Sequence, residues 1–220
     1  MWLTHPLQNS QNKKILAMKV LLINGSPRRD GNTHIALEEV ASTLRQEGLE
    51  ADIVWIGNKP VPGCIACYKC METGVCVFNS GIYAELRAKL PEVDAIVIGT
   101  PVYYAGAAGS LCSLLDRLFF SCKSMLTYKV GASVAVARRA GADCALDRID
   151  KYFTISNMPV VPSQYWNLAY GRDPGEVRQD GEGLQTMRTL GRNIAWMLRS
   201  LKRSEAPAPE QSRAVTNFIR

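Results

Sequence analysis

Residues 19–33 read KVLLINGSPRRDGNT. Lys19–Asn24 is a short, uninterrupted apolar run that ends in Gly25, and a hydroxyl-rich loop follows it. A parallel strand covered on both faces reads this way, because both alternate sets of its side chains are buried. Asn32 or Thr33 can cap a helix that runs to about Glu47, with Ile35, Ala36, Val40 and Leu44 as its apolar stripe and Gly48 as its stop.

The same alternation continues outward from this unit. Strands are expected at 51–56, 95–100, Val130–Ala137 and 159–163, the last at an edge because its prolines cannot donate ladder hydrogen bonds. Helices are expected to Leu90, over 108–122 and over 142–153. A closing helix carries Leu184, Met187, Leu190, Ile194, Met197, Leu198 and Leu201 at helical spacing. Five strand–helix units predict an α/β fold, a doubly wound five-stranded parallel sheet of order 2-1-3-4-5. A ligand crevice then lies between strands 1 and 3, so the loops after strands 1, 3 and 4 should carry the function.

Composition narrows the function classes. With 220 residues, 47% hydrophobic and 21% charged, the chain can bury a full core and is neither collagen-like nor disordered. No run approaches the roughly 18 apolar residues of a membrane span. The net charge of +6 sits at the ends, and residues 19–198 hold 19 basic and 18 acidic side chains. That near-neutral body offers no basic face, so neither nucleic acid nor membrane is expected as a partner. Residues 1–17 read as a disordered extension or an upstream choice of start. Residues 18–203 read as one domain with a Cys-rich loop at 57–79, and 204–220 as a flexible tail. Seven cysteines and no secretory signal point to a reducing cytoplasm.

The loop after the first strand has the character of a phosphate site. Free backbone N–H groups and the positive helix end face the anion, Ser26, Asn32 and Thr33 add donors, and Arg28 adds charge. The Gly-Lys-Ser/Thr ending of a P-loop is absent, as is G-x-G-x-x-G, and Gly181-x-Gly183 follows no strand. A monophosphate cofactor fits best; an ordinary strand–helix turn is the bland reading. His34 reads as a solvated first-turn residue.

The segment VLLINGSPRRDGNT resembles the opening of the NADPH-dependent FMN reductase superfamily, within the flavodoxin-like fold. Thr100-Pro101-Val102-Tyr103-Tyr104 resembles that family's second flavin loop, and Ala137-Arg138-Arg139-Ala140-Gly141-Ala142 its third. The similarity runs from about Lys19 to Leu201. It implies that Ser26, Arg28, Asn32 and Thr33 hold the FMN phosphate, that Pro101, Val102, Tyr103 and Tyr104 line the isoalloxazine, and that Arg138 and Arg139 close over its pyrimidine side.

Cys64-x2-Cys67-x2-Cys70-x5-Cys76 is the second signal. Thiolates at every third residue can wrap one compact cubane, whereas structural zinc usually takes two separated pairs. The spacing resembles the iron–sulfur flavoprotein branch of the same superfamily, which implies a [4Fe–4S] centre on these four residues. Members of that branch often follow the last cysteine with two aspartates, where this chain reads Val77-Phe78-Asn79-Ser80. Free or redox-active thiols are the other reading. Cys112, Cys122 and Cys144 read as small buried apolar residues.

Three further segments have bland readings beside them. Residues 163–167 (SQYWN) read as a flavin lid, a subunit contact or an aromatic plug, and Asp116-Arg117 as a structural ion pair. The Leu and Met stripe of the last helix reads as core. The resemblance implies an NAD(P)H-dependent FMN oxidoreductase, a homodimer or homotetramer, passing electrons to a small-molecule acceptor or a redox protein. Quinones, azo or nitro compounds and free flavin are the candidate acceptors. A one-electron carrier without its own NAD(P)H site is the alternative, and a flavin-free scaffold a third reading.

Overall fold

In the computed structural model of the chain, which describes residues 18–208 and residue 216, the strand Lys19–Asn24 (β1) divides its side chains between two cores. Val20 and Leu22 join the core beneath the helices Asn32–Gln46 (α1) and Gly181–Leu201 (α7), while Leu21 and Ile23 join the opposite one. That division is why the sequence shows a continuous apolar run instead of alternation. The 1–17 extension and most of the 204–220 tail expected from the sequence lie outside the described residues.

After α1 come Glu50–Trp55 (β2), the short helix Lys69–Thr73 (α2) and Gly81–Lys89 (α3). Ala95–Tyr103 (β3) and Gly106–Ala107 (β4) form a hairpin, followed by Gly109–Ser121 (α4) and the single turn Lys123–Leu126 (α5). Val130–Ala137 (β5), Ala142–Ile155 (α6) and Leu168–Tyr170 (β6) complete the layers before α7. The sheet order is β2-β1-β3-β5-β6, all parallel, with β4 antiparallel to β3. Apart from that hairpin, this is the expected 2-1-3-4-5 arrangement.

The fifth strand is displaced from its expected place. Residues 159–163 contribute an isolated bridge between Val160 and Gly131, and the strand itself is β6, paired with Ala135, Val136 and Ala137. Pro159 and Pro162 flank that bridge and have no N–H to extend it. The chain bulges away after Val161 and rejoins the edge where the Ala135 N–H donates to the Asn167 carbonyl at 3.0 Å.

α7 starts at an Asp180 cap, whose Oδ1 accepts the Gly183 N–H at 2.9 Å and whose Oδ2 accepts the Tyr170 N–H at 2.7 Å. The Gly181-x-Gly183 pair is thus part of a helix start. Among the described residues no helix is long and apolar enough to cross a membrane.

Close packing of α6 on β5 gives a test of this architecture. A Cβ at Gly131 would stand 2.6 Å from the Phe153 ring. Gly131→Ala is expected to destabilise the chain by about 1–3 kcal/mol through overpacking, read as a lower denaturant midpoint at unchanged m-value.

Candidate functional site

The loop from Gly25 to Gly31 leaves the sheet under tight backbone control. The Gly25 N–H donates to the Gly99 carbonyl at 2.8 Å, and the Ser26 N–H donates to Asn24 Oδ1 at 3.1 Å. Asn24 Nδ2 holds the Arg29 carbonyl at 2.9 Å, and Ser26 Oγ accepts the Arg28 N–H at 3.1 Å. Trp55, at the end of β2, donates its indole N–H to the Ser26 carbonyl at 2.7 Å. The loop is therefore a built object and not slack chain. Its last residue, Gly31, is the N-cap of α1 and supplies no side-chain acceptor, and no acidic residue lies in the first turn. The first-turn N–H groups of α1, which no helix can satisfy internally, are left facing outward with their share of the helix dipole. An anion is the natural partner for such a terminus.

β3 ends in the hairpin with β4, whose two central residues, Tyr104 and Ala105, both have positive φ (49° and 57°). Two consecutive left-handed residues are what a two-residue primed turn requires, and glycine or asparagine usually takes them. Here a tyrosine stands at the tip, fully exposed, and Tyr103 beside it is half exposed. Strain of this kind, about 1–3 kcal/mol per residue, persists where the surroundings enforce it. One enforcing contact is visible: Gly141, at φ +82°, packs so closely that a Cβ there would lie 2.7 Å from the Ala105 Cα. The loop after β5 and the hairpin tip are thus in direct register.

These loops meet at the carboxyl ends of β1, β3 and β5 around one open cleft of about 210 Å³. Ser26, Arg28, Asn32, Thr33, Pro101, Val102, Tyr103 and Arg138 line it, so eight of the ten residues picked from the sequence come together. Tyr104 at the hairpin tip and Arg139, also exposed, stand outside the lining. The cleft also contains Val136, Gly171 and Arg172, which sequence reasoning did not select; the signal available was the glycine that follows the last strand. Asn32 explains how that fourth loop is held. Its Oδ1 accepts the Gly175 N–H at 2.9 Å and its Nδ2 donates to the Asp173 carbonyl at 2.9 Å. The expected phosphate donor therefore spends its side-chain amide on residues 173–175. The Glu176 carboxylate, held below its ordinary pKa by the backbone N–H groups of Asp173 and Arg172, tightens the same turn.

The aromatics at 163–167 do not line the cleft. Trp166 is 62% exposed and packs on Tyr165, with ring centroids 5.0 Å apart, beside Asp143, Asp147 and Asp150 in a separate hollow. The lid reading is therefore set aside.

Cys64, Cys67, Cys70 and Cys76 line a second, small hollow of about 20 Å³ with Ile65, Tyr68, Phe78, Arg117 and Phe120 among its walls. Cys64 and Cys67 are exposed, and Cys70 and Cys76 partly buried. Ala66 and Tyr68, between the cysteines, take positive φ of 51° and 57°. Burial pushes the Cys70 thiol up, with smaller pushes from Cys76, Cys67 and Cys64. Among the described residues no three His, Cys, Asp or Glu side chains are grouped closely enough to hold one metal ion. A cubane takes one thiolate per iron, so its ligands stand further apart than those around a single ion. Four thiols beside an apolar wall are the kind of donor set such a centre uses. The hollow and the cleft have no lining residue in common.

Two expectations are corrected here. Arg117 does not pair with Asp116: the Asp116 carboxylate meets Arg148 at 3.5 Å and accepts a hydrogen bond from the Tyr152 hydroxyl at 2.5 Å, while Arg117 faces the cysteine hollow. Of the three scattered cysteines Cys122 is buried and Cys112 half-buried, but Cys144 is exposed, on the outer face of α6.

Residues 18–173 match the family model for NADPH-dependent FMN reductase. An iron–sulfur flavoprotein of Methanocaldococcus jannaschii is 34% identical over 194 residues, which cover 84% of this chain and 100% of that protein. Among solved structures, RosB with bound 8-demethyl-8-formylriboflavin-5'-phosphate superposes with a TM-score of 0.65 at 18% identity, covering 93% of this chain and 94% of RosB. A flavodoxin from the domain Archaea superposes with a TM-score of 0.57 at 15% identity, covering 83% of this chain and 99% of the flavodoxin. Those two likenesses concern the fold. With the sequence match over most of its length, the chain belongs to the NADPH-dependent FMN reductase family, as an FMN-dependent oxidoreductase of flavodoxin-like fold.

Proposed function

We propose that the chain takes electrons from NAD(P)H onto FMN held in the cleft, and passes them to a small-molecule acceptor or redox protein. We further propose that Cys64, Cys67, Cys70 and Cys76 hold a [4Fe–4S] centre. The observation that carries the first part is the cleft itself: an uncapped helix start, an arginine and two loop walls converge where a flavin mononucleotide has its phosphate and its ring. The relatives named iron–sulfur flavoproteins and the cysteine-lined hollow support the second.

Within this reading each residue has a physical task. The first-turn N–H groups of α1, the Thr33 hydroxyl and the Arg28 guanidinium offset the phosphate charge, which costs a neutral pocket several kcal/mol to desolvate. Pro101, Val102 and Tyr103 give the ring system a flat wall to lie against. Arg138, exposed at the opposite loop, places a positive charge where added electron density is stabilised. Bound there, FMN exchanges electron pairs with a nicotinamide and single electrons with a metal centre or acceptor. The open outer side and the exposed Tyr103 and Tyr104 leave space for a second planar molecule. Quinones, azo or nitro compounds and free flavin suit that space. A homodimer or homotetramer is the proposed assembly, with the exposed Tyr104 tip available to a second copy.

Anaerobic purification with FMN, iron and sulfide assays on one sample, alongside steady-state NAD(P)H oxidation with a quinone, tests the reading. About four irons and one FMN per chain, with turnover that needs no added reductase, are expected. FMN without iron or sulfide after reconstitution would remove the cluster and leave the reductase. Turnover only with a separate reductase would make the chain a carrier.

Two substitutions probe the cleft. Arg28→Ala removes a charge-assisted contact worth about 1.5–3 kcal/mol, so FMN affinity should fall roughly tenfold to hundredfold in a fluorescence titration. Asn32→Ala releases the 173–177 turn; faster amide exchange across those residues, with a stability loss of about 1 kcal/mol, is the expected signature. Unchanged exchange there would mean that Asn32 does not anchor the fourth loop.

A further inference from the structure

α4 carries a buried cation that its surroundings do not neutralise. Arg117 is 3% exposed. Its Nη1 donates to the Pro62 carbonyl at 3.0 Å and its Nη2 to the Phe78 carbonyl at 2.7 Å. The guanidinium lies over the rings of Tyr83 and Phe78, at 4.9 and 5.5 Å from their centroids, and its Nε has no hydrogen-bond partner. Among the described residues no carboxylate forms an ion pair with it. Carbonyls and ring faces solvate a cation in part, but a buried charge without a counter-ion still carries a penalty of several kcal/mol. What Arg117 does face is the hollow lined by Cys64, Cys67, Cys70 and Cys76.

The position of its two carbonyl partners adds a second property. Pro62 precedes the first of the four cysteines and Phe78 follows the last, so one planar guanidinium ties together the two ends of the loop that carries them. Lysine has the charge but not the fork, since its single ammonium cannot reproduce two spread, in-plane donors. Around the bracket, the Tyr83 hydroxyl accepts the Cys76 N–H at 3.1 Å and shares a hydrogen bond with Ser121 at 2.7 Å, which fixes the ring on which Arg117 rests.

We propose that Arg117 is both the counter-charge and the clamp of an anionic iron–sulfur centre held by Cys64, Cys67, Cys70 and Cys76, a proposal that rests on the cluster reading above. A centre ligated by four thiolates is net negative, and gaining one electron makes it more negative by one charge. A fixed cation in a low-dielectric wall favours the reduced form, so Arg117 raises the midpoint potential. By closing the loop ends, the same side chain slows loss of iron.

The test compares the full-length wild type with Arg117→Lys and Arg117→Gln, each reconstituted anaerobically with iron and sulfide. FMN content and circular dichroism confirm folding. The readouts are iron and sulfide per chain, the midpoint potential of the centre, and the rate of iron loss to a chelator. Arg117→Lys should keep a potential near that of wild type and lose iron several-fold faster. Arg117→Gln should show a lowered potential as well as faster loss. If Arg117→Gln does not fold, Arg117→His replaces it, with a potential expected to fall more steeply than the wild type's as pH rises through the imidazole range. A loaded wild type whose neutral variant keeps the wild-type potential overturns the counter-charge, and variants that match its chelation rate overturn the clamp. A wild type that takes up no iron is a different result: it overturns the cluster reading, and this inference with it.

Discussion

The organisation of the cleft depends on how closely β1 and β3 approach at their carboxyl ends. The Gly25 N–H reaches the Gly99 carbonyl at 2.8 Å, and a Cβ on Gly25 would lie 2.5 Å from the Leu111 side chain and 2.8 Å from that carbonyl. Only a residue without a side chain can stand there. The two strands therefore stay paired to the last residue of β1, and the chain has to turn away at Ser26. Trp55 and Asn24 then fix the turn from either side. The consequence is that α1 begins beside the β1–β3 crevice with its uncapped terminus at the cleft.

The other loops are fitted to this one and to each other. Asn32, at the first position of α1, holds the turn after β6, and Gly141 after β5 is pressed against the hairpin tip of β3 and β4. Each wall of the cleft is thus supported by another wall. Such mutual support lets Tyr104 and Ala105 remain left-handed, because relaxation of the hairpin would displace the loop packed against it. A preorganised cleft loses less ordering entropy on binding than one whose loops must condense around the ligand.

Local pattern made most of this fold legible. β1 announces itself through burial on both faces, and the loops at the carboxyl ends of β1, β3 and β5 carry hydroxyl, aromatic and guanidinium groups that a core does not need. What escaped the sequence has its cause in distant partners. Leu168–Tyr170 is too short to show a period and is a strand because it pairs with Ala135, Val136 and Ala137, whereas the longer apolar stretch at 159–163 is interrupted by proline. The commitment of Asn32 to residues 173–175 spans some 141 residues of chain. Asp116 and Arg117 look like a pair on paper, yet neighbours in a helix point to different faces. One joined the Arg148–Tyr152 cluster and the other turned to the cysteines.

Charge placement makes the two hollows comparable. Arg28 and the start of α1 stand at one, with Arg138 across from them, and Arg117 stands at the other. Since residues 19–198 are nearly balanced overall, positive charge gathered at these sites has to be matched by acidic groups placed elsewhere. Asp143, Asp147 and Asp150, beside Trp166 on the α6 side of the sheet edge, are one such group. Arg117, buried at the cysteine hollow, acts at short range through a low-dielectric wall with little screening, whereas the exposed Arg28 and Arg138 at the cleft act through solvent and are screened by salt. A neutral composition can therefore conceal local gatherings of positive charge, because what an occupant meets is the local arrangement of charge and not its sum.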